Sequence, residues 1–315
     1  MNTPQSLAEP AGAHPGIALA LGTGGARGLA HIGAIEAIEA AGLQIVAVSG
    51  TSMGALIGGI YAAGKLDVYR DWVCALQKMD VLKLVDWTLS GAGLIKGERI
   101  IGVLRELIGE VDIEALPIPF TAVATDLDRE REMWLAHGPL FDAIRASIAI
   151  PTIFRPHPVH GHRLVDGGLM NPLPLTPLLQ SVSDFTVAVN VNGPPETLPV
   201  PSRPAQQKAR RGLRSRVAAY VARTIGNHKE GTRQPGWLDT LTQSLDLMQQ
   251  NLTGFRLAAD RPDLVIEVPR NASAVYEFYR ASELIELGRE RAERALAAWQ
   301  PGTRVSPLSS TNGGA

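Results

Sequence analysis

The sequence predicts an α/β protein of three layers, with a mostly parallel central sheet between two sets of helices. Three observations lead there. Apolar runs at residues 17–21 and 44–48 are each followed by a glycine-containing turn and an apolar helical stretch. Further short apolar runs recur at 120–125, 185–191 and 264–268, with helical stretches between them. The 315 residues are 45% hydrophobic and 19% charged, enough to build the core of one large domain.

Taken in order, 17–21 is an uncharged buried strand, followed by a glycine-rich loop and a helix over 31–39. Residues 44–48 are the next strand and 53–63 the next helix. The order strand, loop, helix, strand, turn, helix implies parallel strands with helices covering them. No charge occurs between Glu39 and Lys65, which resembles a membrane span. Six glycines and the polar Gln44, Ser49, Thr51 and Ser52 interrupt that run, so it reads instead as a buried strand and a buried helix. Helices are expected near 67–79 and 97–108, a strand at 120–125 with 132–136 beside it, and core strands at 185–191 and 264–268. A closing helix over 276–299 carries an apolar stripe of Leu284, Leu287, Ala292, Ala295 and Trp299.

Residues 1–15 and 301–315 are expected to be disordered tails around a catalytic domain of 16–300. The N-terminal stretch lacks the basic start and apolar core of a signal peptide. The one cysteine, Cys74, allows no internal disulfide and is expected to pack in the core or half-buried on a helix. These features point to the cytoplasm. Residues 203–233 stand apart, with nine Lys/Arg against the single acid Glu230, a net of +8 in a chain of net −1. Leu213, Val217, Tyr220, Val221 and Thr224 share one helical face there, with arginines beside it. Such a basic, mobile insertion suits peripheral contact with an anionic membrane at its inner face, or plain solvation. The near-neutral total gives no reason to expect nucleic acid.

Candidate chemistry begins at Gly50-Thr51-Ser52-Met53-Gly54. A serine between glycines, on the turn from strand to helix, is a nucleophile-elbow pattern, and a capped tight turn is its plain alternative. Ahead of it, Gly22-Thr23-Gly24-Gly25-Ala26-Arg27-Gly28 fails the dinucleotide pattern, because Arg27 occupies the final glycine position. It also lacks the Lys-Ser/Thr of a phosphate-binding loop. An oxyanion hole remains, with N–H donors from Gly24, Gly25 and Met53. Arg27 would anchor the loop or meet an anionic head group. A serine needs a base. His157, His160 and His162 crowd one Pro/Gly-rich, hairpin-like loop, where a metal site lacks an obvious carboxylate or thiol partner. His228 lies in the basic insertion, and His31 on a helix. Asp166-Gly167-Gly168, after a short strand, offers a carboxylate that could act without histidine if burial raised its pKa. Asp126 and Asp184 are weaker candidates at strand ends.

Taken together, the loop, the elbow and Asp166-Gly167-Gly168 resemble the patatin-like phospholipases, lipid acyl hydrolases with a Ser–Asp dyad. The flanking His31-Ile32-Gly33, Ala146-Ser147-Ile148-Ala149-Ile150-Pro151 and Leu169 through Pro174 look similar too, as does the stretch from Tyr279 to Gly288. One departure is Thr23, where the family usually has glycine. The resemblance implies Ser52 as nucleophile, Asp166 as proton acceptor, a lipid acyl ester as substrate, and no metal or organic cofactor. A transacylase with the same dyad, or a non-catalytic lipid-binding regulator, would carry the same residues.

Overall fold

The computed structural model describes residues 15–83, 97–151, 153–197 and 237–300. The chain divides into two units, Met1–Glu196 with Met248–Ala315, and Thr197–Leu247. The expected tails up to residue 14 and from 301, and the basic segment 203–233, lie outside the described residues. The strands are β1 (Gly16–Leu21), β2 (Gln44–Thr51), β3 (Phe120–Asp126), β4 (Arg131–Leu135), β5 (His157–Val159), β6 (His162–Asp166), β7 (Phe185–Gly193) and β8 (Leu264–Pro269). The helices are α1 (Ala30–Ala40), α2 (Met53–Ala62), α3 (Leu66–Ala75), α4 (Lys78–Lys83), α5 (Glu98–Ile108), α6 (Leu140–Ser147), α7 (Trp237–Asp260) and α8 (Ala281–Ala298).

The sheet runs β5-β6-β3-β2-β1-β7-β8, with β4 also paired to β3. The stretch from β3 through β2, β1 and β7 to β8 is parallel, whereas β4, β5 and β6 are antiparallel to their neighbours. The expected α/β class with a mostly parallel sheet is therefore the observed one. Strand alternation builds the layers. Ala18 and Ala20 of β1 join Ala47 and Ala188 under Leu173, Leu175 and Leu178, with Leu257 of α7 packed against them. Leu21 points to the opposite face, where it abuts Gly58 of α2 beside Val48 and Phe120. Neighbouring Gly59 meets Leu140 and Ile144 of α6. The small residues on α1 and α8 serve close packing. A Cβ on Gly33 would lie 1.8 Å from Ile285 O, and one on Gly288 2.0 Å from Ala30 O.

Several expectations need correction. The helix expected over 67–79 breaks at Leu76, whose extended backbone (φ −67°, ψ 128°) separates α3 from α4. Cys74 is exposed, because α3 turns Leu66, Tyr69 and Val73 inward and leaves position 74 outside. The closing helix starts only at Ala281, after a short 3-10 turn at Phe278–Arg280. Trp299 stands just past it, edge-on to Phe185 with ring centroids 4.8 Å apart. Helices α6 and α7 were not anticipated. The uncharged run of 40–64 folds as β2 and α2, and no helix among the described residues is long and apolar enough to cross a membrane.

One detail of topology positions the site. Strand β3 pairs with β2 through Phe120–Val123 and with β6 through Ala124–Asp126. Strand β4 occupies Ala122–Asp126 and overlaps both, so β2 and β6 must share the other edge in succession. Where β2 leaves the sheet at Thr51, β6 takes over and ends on Asp166. Residues Thr51 and Asp166 pair with the adjacent Val123 and Ala124.

Candidate active site

Ser52 sits between β2 and α2 with φ 57° and ψ −121°, a conformation L-residues rarely hold. The surroundings enforce it. The Ser52 N–H donates to Ser147 Oγ at 2.9 Å, and Ser147 Oγ–H donates to Val123 O at 2.6 Å. A Cβ on Gly54 would lie 2.0 Å from Leu21 O, so only glycine lets the start of α2 pass over the end of β1. Gly50 is pressed against the Gly54 backbone, Gly28 against Met53, and Gly167 against Val123 O. Side-chain hydroxyls two residues apart on β2 staple the segment after β6. Thr51 Oγ1 donates to Asn171 O at 2.8 Å, and Ser49 Oγ donates to Pro174 O.

The Ser52 hydroxyl donates to Asp166 Oδ2 at 2.6 Å. The other carboxylate oxygen, Oδ1, accepts Gly168 N–H at 2.7 Å, so each oxygen has a distinct partner. Thr125 Oγ1 donates to Asp166 O at 3.1 Å, and Asp166 N–H to Ala149 O at 3.0 Å. Ser52 and Asp166 are 2% and 3% exposed. Burial pushes the Asp166 carboxyl from 3.8 up to about 6, against the opposing pull of the Ser52 and Gly168 hydrogen bonds.

The glycine loop connects β1 to a 3-10 turn, Gly25–Leu29. Its carbonyls and side chains are held from several directions. His31 Nε2–H donates to Gly22 O at 2.8 Å, Thr23 N–H to Pro172 O at 2.9 Å, and Ala26 N–H to Val275 O at 2.8 Å. His31 is fully buried, and desolvation lowers its pKa to about 4, so it is neutral and holds its carbonyl as an uncharged donor. Arg27 is 6% exposed and donates to Asn192 Oδ1 at 2.7 Å and to Ser273 O at 3.3 Å. Gly25 has φ +55°, and a Cβ there would meet Val275 Cγ1 at 2.4 Å. Gly24 N–H has no backbone acceptor among the described residues. Gly25 and Met53 are the first residues of their helical turns, where N–H groups lack intrahelical partners.

Residues 19–179 match the family model for patatin-like phospholipase. An uncharacterized NTE family protein of Mycobacterium tuberculosis is 38% identical to this chain, covering 95% of it and 96% of the relative. The chain belongs to the patatin-like phospholipase family. The neuropathy target esterase sws of Drosophila melanogaster is 31% identical over 188 residues, which is 58% of this chain and 13% of that much longer one. VipD from Legionella pneumophila superposes with a TM-score of 0.41 at 14% identity, covering 90% of this chain and 67% of that one. Membership of this family places the chain among the patatin-like lipid acyl hydrolases.

Beside the Ser–Asp pair of this patatin-like chain opens a cavity of about 250 Å³. Ser52 and Gly25 lie on its wall with Met53 and Leu56 of α2, Tyr69, Trp72 and Val73 of α3, Leu104 of α5, and Ile148, Phe154 and Phe278. No charged residue lines it among those described. The individual apolar residues carried no functional signal in the sequence, because a pocket wall and a core face have the same composition.

The remaining candidates have other neighbours. His157 Nε2 lies 3.8 Å from Asp142 Oδ1, and burial lowers its pKa. His160 sits in the β5–β6 turn with φ 49°. His162 Nδ1 is 3.5 Å from the buried Asp126 Oδ2, and these two with Asp128 place possible ligand atoms within 4.8 Å. That differs from the three-histidine cluster of the sequence reading. The Asp128 carboxylate takes three hydrogen bonds from Arg163 (2.6–2.9 Å), the pattern of a hairpin ion pair. Asp184 Oδ2 accepts Gly16 N–H at 2.7 Å and secures the start of β1.

Proposed function

We propose that this chain hydrolyses carboxylic esters of phospholipids or lysophospholipids through an acyl-Ser52 intermediate, with Asp166 as the base. The observation that carries the reading is the 2.6 Å hydrogen bond from Ser52 Oγ to a buried carboxylate whose pKa is raised to about 6. A base poised near the working pH transfers protons efficiently, which an ordinary surface aspartate does not. The cavity supports an acyl chain as the bound group, since its walls are apolar and uncharged.

Ser52 Oγ attacks the ester carbonyl carbon while its proton moves to Asp166 Oδ2. The carbonyl oxygen becomes an oxyanion, received by the N–H groups of Gly24, Gly25 and Met53. Collapse breaks the bond to the alcohol oxygen, which leaves with the proton from Asp166. Water then attacks the acyl carbon and gives its proton to Asp166. Fatty acid departs and Ser52 is restored. In this reading Arg27 anchors the loop and does not meet the head group, because its guanidinium is buried against Asn192 and Ser273. Gly22, Gly28, Gly50, Gly54, Gly167 and Gly168 shape the backbone that carries these groups. The basic segment 203–233 supplies peripheral attachment to anionic lipid, a role supported by its net charge of +8.

Labelling with a fluorophosphonate tests the nucleophile. The wild-type chain should take one label, and Ser52→Ala none. A folded wild type that does not react, or an equally labelled Ser52→Ala, ends this reading. Sedimentation with anionic liposomes should weaken at high salt. Equal binding by a chain lacking 203–233 would remove the membrane role.

A further inference from the structure

Strand β7 runs past the end of β1. Its partners on β1 stop at Leu21↔Val189, so Asn190 and Asn192 stand alongside the glycine loop rather than in the ladder with β1. Asn192 Nδ2–H donates to Thr23 O at 2.6 Å, and Asn192 Oδ1 accepts from Arg27 Nη2 at 2.7 Å. The partners fix which end of the amide is which, because a guanidinium only donates and a carbonyl only accepts. The Asn192 backbone is held in turn, its N–H donating to Asn190 Oδ1 at 3.0 Å.

The carbonyl that Asn192 grips belongs to the Thr23–Gly24 peptide. The chain contains no cis peptide among the described residues. In a planar trans peptide the C=O and N–H point in opposite directions, so holding Thr23 O also sets the direction of Gly24 N–H. That N–H has no backbone acceptor among the described residues, and the next residue, Gly25, shares the cavity wall with Ser52. A cation at one end of such a chain polarises each hydrogen bond along it. Arg27 draws density from the Asn192 amide, the amide draws it from the Thr23 carbonyl, and Gly24 N–H becomes a stronger donor.

We propose that Asn192 is a positioning residue that aims and polarises the Gly24 N–H toward the oxyanion, with the buried Arg27 as its source of positive charge. The proposal rests on the reading of Ser52 as nucleophile and of the Gly24 loop as oxyanion hole. It gives the departure at Thr23 a reason to be harmless. The group Asn192 needs from that position is a backbone carbonyl, which any residue supplies.

The test compares wild type with Asn192→Ala and Asn192→Asp. The aspartate is nearly isosteric and keeps an acceptor for Arg27, which protects folding, but it turns an acceptor toward Thr23 O. Thermal midpoints, kcat and KM on a p-nitrophenyl acyl ester, and the affinity of a trifluoromethyl ketone are measured for each. The ketone adds to the serine and presents an oxyanion, so it reads the hole directly. The expected result is kcat lowered at least tenfold in both variants, KM within about twofold, and ketone affinity lowered by the same factor as kcat. A lost oxyanion donor typically costs ~10²–10³ in kcat, and a misdirected one falls short of that. Unchanged kcat, or a loss of kcat with ketone affinity retained, overturns the proposal. So does a loss that only follows a falling thermal midpoint. A wild-type chain that takes no fluorophosphonate label at Ser52 fells the underlying reading and this inference together. A wild type that labels, beside Asn192 variants with wild-type kcat and ketone affinity, fells this inference alone.

Discussion

Replacing Asp166 by asparagine should abolish activity and yet stabilise the protein, by an amount that depends on pH. The carboxyl has a pKa of about 6 in the fold against an ordinary 3.8, mainly because burial disfavours its charge. The folded chain therefore holds this proton over a pH range where the unfolded chain has released it. Stability from this group is present in full below pH 3.8 and is lost as pH rises through 6. The difference amounts to ~3 kcal/mol, at about 1.36 kcal/mol for each pKa unit. His31 works in the opposite sense over an overlapping range. Its pKa falls from 6.5 to about 4, so its contribution is complete above 6.5 and is lost as pH falls toward 4. The two trends oppose each other in the wild-type profile, which alone would show little. The informative quantity is the stability of Asp166→Asn minus that of wild type, in which His31 cancels. From urea unfolding at a series of pH values, this difference should rise by ~3 kcal/mol between pH 3 and pH 7, with most of the rise between 4 and 6. A difference that changes by less than about 1 kcal/mol across that range would refute the perturbed carboxylate and the base assignment built on it.

In the proposed mechanism the same carboxylate, ionised, is the base, so kcat/KM should rise tenfold per pH unit below 6 and level off above it. A profile flat from pH 4 to 8 would contradict this. Helix contacts give predictions of opposite sign. Gly288→Ala places a methyl 2.0 Å from Ala30 O and should destabilise by at least ~2 kcal/mol. Gly102→Ala, in open space on α5, should stabilise by ~0.5–1 kcal/mol. Thermal unfolding of the two variants reads both signs. Leu56→Trp adds bulk to the cavity wall one helical turn from Ser52. It should shift kcat/KM on a series of p-nitrophenyl esters toward shorter acyl chains, while fluorophosphonate labelling persists.

Much of the parallel sheet was legible because its strands are buried on both faces and read as continuous apolar runs. Residues 17–21, 44–48, 120–125, 185–191 and 264–268 all lie within observed strands. The unanticipated α6 is short and begins after Pro139 without a side-chain cap. The described outer face of α7 carries Met248 and Phe255 exposed, which blurs its amphipathic pattern. Cys74 was misplaced because the phase of a helix, and hence which neighbour of Val73 faces inward, depends on what the helix packs against. The break at Leu76 likewise has no glycine or proline to announce it.

The site was legible as three motifs, but their meeting was not legible from spacing, since 114 residues separate Ser52 from Asp166. What joins them is the shared edge of β3, where β2 ends at Thr51 and β6 begins its pairing one residue further on. A sequence pattern can mark residues that need unusual backbone, such as Gly54 beneath Leu21 O. It cannot mark a residue whose only peculiarity is its neighbour. Asn192 is of that kind, and Ser147 stood out only as part of the family-like flank 146–151, with no role attached to it. A serine near a helix end and an asparagine at a strand end are ordinary on their own. Each becomes part of the site only because a distant backbone group, Ser52 N–H in one case and Thr23 O in the other, arrives within hydrogen-bond range. The strained serine and the glycine loop therefore depend on polar contacts the motifs do not contain. Transferring the three motifs to another α/β sheet without those contacts would reproduce the residues but not the arrangement that positions them.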